Sequence, residues 1–162
     1  RSGHVTGVQT CALPISPFHI CRVTEVTAPL MQALGELLPQ LSPRLSAPSE
    51  ERLRRMLADG STVLLAACAE ERIVGVLTLV WYDLPSGRKG WIEDVVVDAA
   101  ARGAGLGEAL VRRALDVAAE AGVERVMLTS NAARKAARAL YRKCGFKEAE
   151  TTVFARKTDS KQ

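Results

Sequence analysis

The sequence predicts an α/β domain: a mixed, mostly antiparallel sheet flanked by helices, in the order β-α-α-β-β-β-α-β-α-β. Three observations carry this. Residues 62–98 read as strand, interrupted only by the turn signals Glu70-Glu71 and Pro85–Gly90, which describes an antiparallel meander. On both sides of that meander, apolar residues recur at spacings of three and four, as amphipathic helices require. Beyond it, strand and helix patterns alternate, adding β-α-β-α-β to the meander. This is not a doubly wound Rossmann order.

The elements follow in turn. Phe18–Val23 alternates apolar with polar or small residues, a half-buried strand. Pro29 to Leu41 carries Leu30, Leu34, Leu37, Leu38 and Leu41 on one side, a helix with proline in its first turn. Ser42-Pro43 breaks it. Pro48-Ser49-Glu50-Glu51 opens a second helix with acids where the helix dipole favours them, and Asp59-Gly60 ends it. Thr62–Ala69, Arg72–Leu84 and Trp91–Asp98 are the meander strands. A glycine segment, Arg102–Gly107, precedes a helix reaching Ala121, with Gly122 after it. Val123–Thr129 reads as strand, Ala133–Lys143 as helix ended by Gly145, and Phe146–Arg156 as a closing strand or hairpin.

Composition narrows the function classes. The chain has 162 residues, 48% hydrophobic and 25% charged, as an ordinary globular protein has. No apolar stretch reaches the roughly 18 residues that would span a bilayer, so no membrane partner is expected. The net charge of +4 is mild; it permits an anionic ligand without indicating nucleic acid. With few aromatics and no stacking array, nucleic acid is not an expected partner.

Residues 1–16, RSGHVTGVQTCALPIS, lack the apolar run of a secretory signal. Val5–Ile15 instead resembles the conceptual translation of a common short-read sequencing adapter, so residues 1–16 are read as a non-native or disordered leader outside the fold. Residues 17–157 then form the single domain and residues 158–162 a polar tail. In what remains, Cys21, Cys68 and Cys144 are odd in number and form no C-x-x-C pair, and His19 is the sole histidine. The reading is no disulfide framework, no metal and no Ser-His-Asp triad, in a reducing cytoplasm.

The glycine segment carries the chemistry. Arg102-Gly103-Ala104-Gly105-Leu106-Gly107 lies between a strand and a helix, where unpaired amides and the dipole favour phosphate. It lacks the Lys-Ser/Thr of a P-loop, and Gly103-x-Gly105 is followed by Glu108 where a dinucleotide fingerprint needs glycine. A tight turn that binds nothing is the bland alternative.

Val95-Val96-Val97-Asp98-x-x-x-Arg102-x-x-Gly105-x-Gly107 resembles the acyl-CoA pyrophosphate motif of the GCN5-related N-acetyltransferase (GNAT) superfamily. Leu140-Tyr141-Arg142-Lys143-Cys144-Gly145-Phe146 resembles the same family's L-Y-x-x-x-G-F segment, and the element order is GNAT-like. The resemblance covers residues 18–157. It implies acetyl-CoA as co-substrate, no metal, and direct transfer of acetyl to a primary amine in a ternary complex. It also implies pantetheine pairing with Val95, Val96 and Val97, pyrophosphate held by amides of Arg102, Gly103, Ala104, Gly105, Leu106 and Gly107, and Tyr141 as acid to the departing thiolate. Where the family often has an asparagine seven residues before this tyrosine, the chain has Arg134, which could approach a CoA phosphate.

An ammonium must lose a proton before it attacks, so a base is needed. Glu93 and Asp94 stand on the valine-rich strand. Glu93, sharing parity with Val95 and Val97, is the favoured base and Asp94 the alternative. Trp81, Tyr82, Asp83 and Trp91 are candidates for an acceptor pocket, and Cys144 reads as a small core residue. Arg134, Lys135, Arg138, Arg142, Lys143 and Lys147 form a basic side of the last helix, a solvated face or a contact for a CoA phosphate. The acceptor is expected to be an amine on a small molecule or peptide. Family members often form homodimers, though no residue here compels one. The rival reading is a non-catalytic acyl-CoA-binding sensor or scaffold.

Overall fold

The computed structural model describes residues 8–10 and 17–160. Among these, the element order is β1 (Val8–Thr10), β2 (Phe18–Val23), α1 (Ala28–Leu41), α2 (Glu50–Ala58), β3 (Thr62–Ala69), β4 (Arg72–Leu84), β5 (Gly87–Val97), α3 (Leu106–Glu120), β6 (Arg125–Met127) and α4 (Lys135–Lys143). The strands form one six-stranded sheet in sequence order. Every neighbouring pair is antiparallel except β5 with β6, which is parallel. The fold is the mixed, mostly antiparallel α/β architecture that the sequence predicts.

Local chemistry explains the helices. Thr27 accepts a hydrogen bond from the Leu30 amide at 3.2 Å, and Ser49 accepts one from the Arg52 amide at 3.2 Å. Both caps satisfy donors that a helix start leaves unpaired. Helices α1 and α2 cover one face of the sheet, burying Leu30, Leu34, Leu37 and Leu53 against Leu64, Ala66, Val76 and Val96. Helices α3 and α4 cover the other, with Leu110, Val111, Ala114 and Tyr141 packed on Leu65, Leu77, Leu79 and Ile92. Strand β3 is buried continuously from Val63 to Cys68 because both faces are covered.

Three expectations are corrected. Strand β5 starts at Gly87 rather than Trp91: the Leu84↔Gly87 pairing leaves only Pro85 and Ser86 in the turn, and Arg88 clasps Asp83 across the strands at 2.7 and 2.9 Å. The closing strand over Phe146–Arg156 is not formed. Residues 146–160 have no regular structure, and Val153 and Phe154 are 65% and 91% exposed. Among the described residues the sheet ends on this side at the three-residue β6, too short a template for a long partner. Third, Val8–Thr10 of the segment set aside as leader pairs antiparallel with β2, Thr10 opposite Cys21. Residues 1–7 and 11–16, where the rest of that leader reading falls, lie outside the described residues, as do the last two of the polar tail.

Candidate active site

The site is built on a split in the sheet. Strands β5 and β6 pair only through Lys89, Gly90 and Trp91 opposite Arg125, Val126 and Met127. Past Trp91 the strands are no longer paired, which leaves that edge of residues 92–97 with backbone groups available for an extended ligand. Val95, Val96 and Val97 lie on this stretch.

A bulge shapes it. Opposite β4, Thr78 pairs with Glu93 and Val76 with Val96, so Leu77 faces two residues, Asp94 and Val95. Asp94 takes φ of 50°, a left-handed conformation that the extra residue imposes. The bulge reverses the alternation. Ile92 packs with the α3/α4 cluster, as do Val95 and Val97, whereas Val96 packs with the α1/α2 cluster. Glu93 therefore points to the α1/α2 face, opposite Val95 and Val97, and the shared parity expected from sequence is corrected. Partial desolvation raises the Glu93 carboxyl above its ordinary pKa, and the Asp94 charge beside it adds to the rise.

After β5, the Asp98 carboxylate accepts from the Ala100 amide at 3.1 Å and Arg102 Nε donates to the Val97 carbonyl at 3.3 Å, folding the chain back toward α3. Gly103 and Gly105 have φ of 88° and 79°, and nothing lies within 4 Å of where a Cβ would sit on either. Gly105 is the N-cap of α3, and no side chain bonds the amides that start this helix. In contrast to α1 and α2, α3 begins with open, uncapped donors, the arrangement that suits phosphate. Gly107 serves another purpose: a Cβ there would meet Leu140 Cδ1 at 3.0 Å, so glycine lets α3 approach α4. Glu108, one residue on, is held ionised by hydrogen bonds from Arg112 at 3.0 Å and Lys143 at 3.2 Å, which also offset its charge.

Helix α4 brings Tyr141 inward to 8% exposure, where its ring meets Phe146 edge-on with centroids 6.1 Å apart. Burial raises the Tyr141 pKa, and the nearby Arg134 charge partly opposes the rise. The phenol is thus held protonated, as a proton donor must be. Tyr141, Trp91, Met127, Ser130, Arg138 and Cys144 line part of an open cleft of about 1120 Å³ between α3, α4 and β6. Ser130 Oγ is buried in this cleft with no hydrogen-bond partner among the described residues, a donor and acceptor that sequence reasoning missed because nothing in its neighbourhood signals a buried hydroxyl.

The remaining candidates sort by their contacts. Trp91 Nε1 donates to the Tyr82 hydroxyl at 2.9 Å, so these two aromatics act together. Asp83 is occupied by Arg88, whose guanidinium holds its carboxyl below the ordinary range. Of the basic helix side, Arg138 and Arg142 are ion-paired to Glu148 and Lys143 to Glu108, whereas Arg134, Lys135 and Lys147 are exposed. Burial raises the Cys144 thiol, which keeps it protonated and a poor nucleophile. The structure brings Val95, Val97 and Tyr141 onto the α3/α4 face of the sheet, with the glycine loop leading into α3, and sets Glu93 and Val96 on the opposite face. No helix among the described residues is long and apolar enough to cross a membrane.

Known proteins are similar to this chain in sequence and in fold. The sequence pattern of the Acetyltransferase (GNAT) family matches residues 30–146. The chain is 46% identical over 98 residues to "Probable glucosamine 6-phosphate N-acetyltransferase 2" of Oryza sativa subsp. japonica, covering 57% of each chain. It is 37% identical over 121 residues to glucosamine 6-phosphate N-acetyltransferase 1 of the same plant, covering 69% of this chain and 72% of that one. Its fold superposes at a TM-score of 0.77 and 23% identity on the aminoglycoside acetyltransferase meta-AAC0020 from an uncultured soil metagenomic sample, covering 89% and 97% of the two chains.

Proposed function

Because the chain belongs to the acetyltransferase (GNAT) family, we propose that it moves the acetyl group of acetyl-CoA to a primary amine by direct attack in a ternary complex. The observation that carries this is the uncapped start of α3, set beside the unpaired edge of Val95–Val97 and the inward phenol of Tyr141. Backbone groups of Val95, Val96 and Val97 pair with the pantetheine arm. Amides of Arg102, Gly103, Ala104, Gly105, Leu106 and Gly107 hold the pyrophosphate, and Arg134 approaches a CoA phosphate.

In the reaction, Glu93 takes a proton from the ammonium, directly or through water, and the neutral amine attacks the thioester carbon. The C–S bond of the tetrahedral intermediate then breaks, Tyr141 protonates the departing thiolate, and the second proton of the attacking nitrogen leaves to solvent as the amide forms, solvent in turn restoring the phenol. A base on one face of the sheet and an acid on the other suit a reacting centre placed in the split between them, since the attacking nitrogen and the departing sulfur are separate substituents of the tetrahedral carbon and each can be reached by its own group. The names of the sequence relatives support an amino sugar phosphate as the first acceptor to try. Cysteines that form no C-x-x-C pair suit a cytoplasmic setting.

The test is release of free thiol from acetyl-CoA across an amine panel led by glucosamine 6-phosphate. Tyr141→Phe should lower turnover about 100-fold or more with acetyl-CoA affinity nearly unchanged. A full-rate variant removes Tyr141 from the acid role. Acetyl-CoA binding without thiol release on any amine would favour the sensor or scaffold reading.

A further inference from the structure

The outer strands carry a group of side chains that acetyl transfer does not use. His19 and Cys68 are cross-strand partners on β2 and β3, and Cys21 lies two residues along β2 from His19. Alternation along a strand sets Cys21 on the face of His19, and cross-strand pairing sets Cys68 on that same face. Cys68 packs in the cluster under α1 and α2. One imidazole nitrogen and the two sulfurs lie within 4.8 Å of one another. Among the described residues this is the one such convergence of His, Cys, Asp and Glu side chains.

From this geometry we propose that His19, Cys21 and Cys68 form a binding site for a zinc-class divalent cation, separate from the acetyl-transfer site. The dimensions suit it. With Zn–S of about 2.3 Å and Zn–N of about 2.0–2.1 Å, tetrahedral ligand atoms stand about 3.5–3.8 Å apart, so donors within 4.8 Å of one another close by at most about 1.3 Å. The donor set suits it too. Two thiolates and an imidazole select a borderline or soft ion over magnesium or calcium.

Charge gives the second argument. Cys21 and Cys68 are 1% and 0% exposed, and an isolated thiolate in such surroundings is strongly disfavoured. A divalent ion with two thiolates and a neutral imidazole has no net charge, so the loaded site, like the neutral thiols it would replace, is compatible with burial. On binding, each thiol releases its proton to solvent and each sulfur gains a bond to the metal. The fourth position is left to water, and partly buried His19 is the least covered of the three ligands. The ion would clip β2 to β3. The sequence conceals the site because its ligands come from an H-x-C step on one strand and a residue about fifty positions later on another.

Cobalt(II) added to the metal-free full chain is the direct probe. The expected result is one ion per chain with thiolate-to-cobalt charge-transfer absorption, displaced stoichiometrically by zinc, and a higher melting temperature in zinc than in chelator. Cys68→Ala and Cys21→Ala should abolish that absorption and the zinc-dependent melting shift, and His19→Gln should weaken binding at least tenfold. Cys11→Ser and Cys144→Ser should leave both signals intact. Should Cys68→Ala fold poorly, the half-exposed His19→Gln decides the matter. Cobalt that binds without charge transfer, absorption that survives both cysteine variants, or absorption lost in Cys11→Ser or Cys144→Ser would overturn the proposal.

Discussion

The β3–β4 pair and the β5–β6 pair belong to one sheet but are held by different means. The first is paired from Thr62↔Val80 to Ala69↔Arg72, covered by helices on both faces, and buried without a break from Val63 to Cys68 and from Ile73 to Leu77. The second is paired through three residues, opens into a split, and is followed by an exposed C-terminal segment. Burial of apolar area dominates stability, so the first region should set the free energy of folding. The second keeps backbone groups, a helix start and a hydroxyl uncommitted, as a binding site must. The same contrast appears among the helix starts: Thr27 and Ser49 close α1 and α2, whereas α3 is left open.

The largest expected effect probes the first region. Leu77 is 0% exposed at the centre of β4. Leu77→Ala should cost about 2–5 kcal/mol, since a cavity remains where the side chain was. Phe154→Ala, at 91% exposure, should stay within about 0.5 kcal/mol. Urea unfolding of both variants measures the difference, and equal losses would erase the division between the two ends of the sheet.

The second prediction concerns the split. A general base must be deprotonated, so kcat/KM should fall as pH drops through the Glu93 pKa, which burial and Asp94 place above the ordinary carboxylate value. Glu93→Gln should lower the rate about 100-fold and remove that acidic limb. Asp94→Asn takes away a neighbouring negative charge, so it should move the limb to lower pH. A limb that ignores both substitutions assigns the base to another group.

How much of this was legible depends on whether the signal was local. The first two helices, the meander and the glycine loop lie in contiguous residues, and contiguous residues announced them. The face of Glu93 could not be read that way. Its side is decided by a bulge at Asp94, and the bulge exists only relative to β4, where Leu77 faces two residues. The early start of β5 was hidden for a similar reason: Gly87 and Gly90 look like turn residues, yet Arg88 finds Asp83 across the ladder. Phe146–Arg156 misled in the opposite sense, because strand-forming residues without a partner edge form no strand. The convergence of His19, Cys21 and Cys68 is likewise a fact of register.

A smaller effect separates conformation from contact at the α3 start. Gly105→Ala places a Cβ in open space but at φ of 79°, which should cost about 1–2 kcal/mol. Gly107→Ala meets Leu140 instead, so it should disturb the α3–α4 contact and the seating of Tyr141. Acetyl-CoA affinity should suffer more in the first variant and turnover more in the second. Calorimetry against steady-state rates distinguishes them, and the reverse pattern would detach the glycine loop from the phosphate.

The smallest effect returns to the well-packed end, where one local choice runs against the fold. Glu70 and Glu71 turn the chain between β3 and β4 with φ of 49° and 68°. Two consecutive left-handed residues are what a two-residue hairpin of matching twist needs, and Asn-Gly meets that need with less strain. Both glutamates are at or near the surface, so replacing them removes strain without opening a cavity. Glu70→Asn with Glu71→Gly should raise stability by about 1 kcal/mol, read as a higher urea midpoint with an unchanged slope. Because this turn lies in the half of the sheet assigned to stability, acetyl transfer should proceed at the unaltered rate. A gain in stability that came with lost activity would show that the two ends of the sheet are coupled.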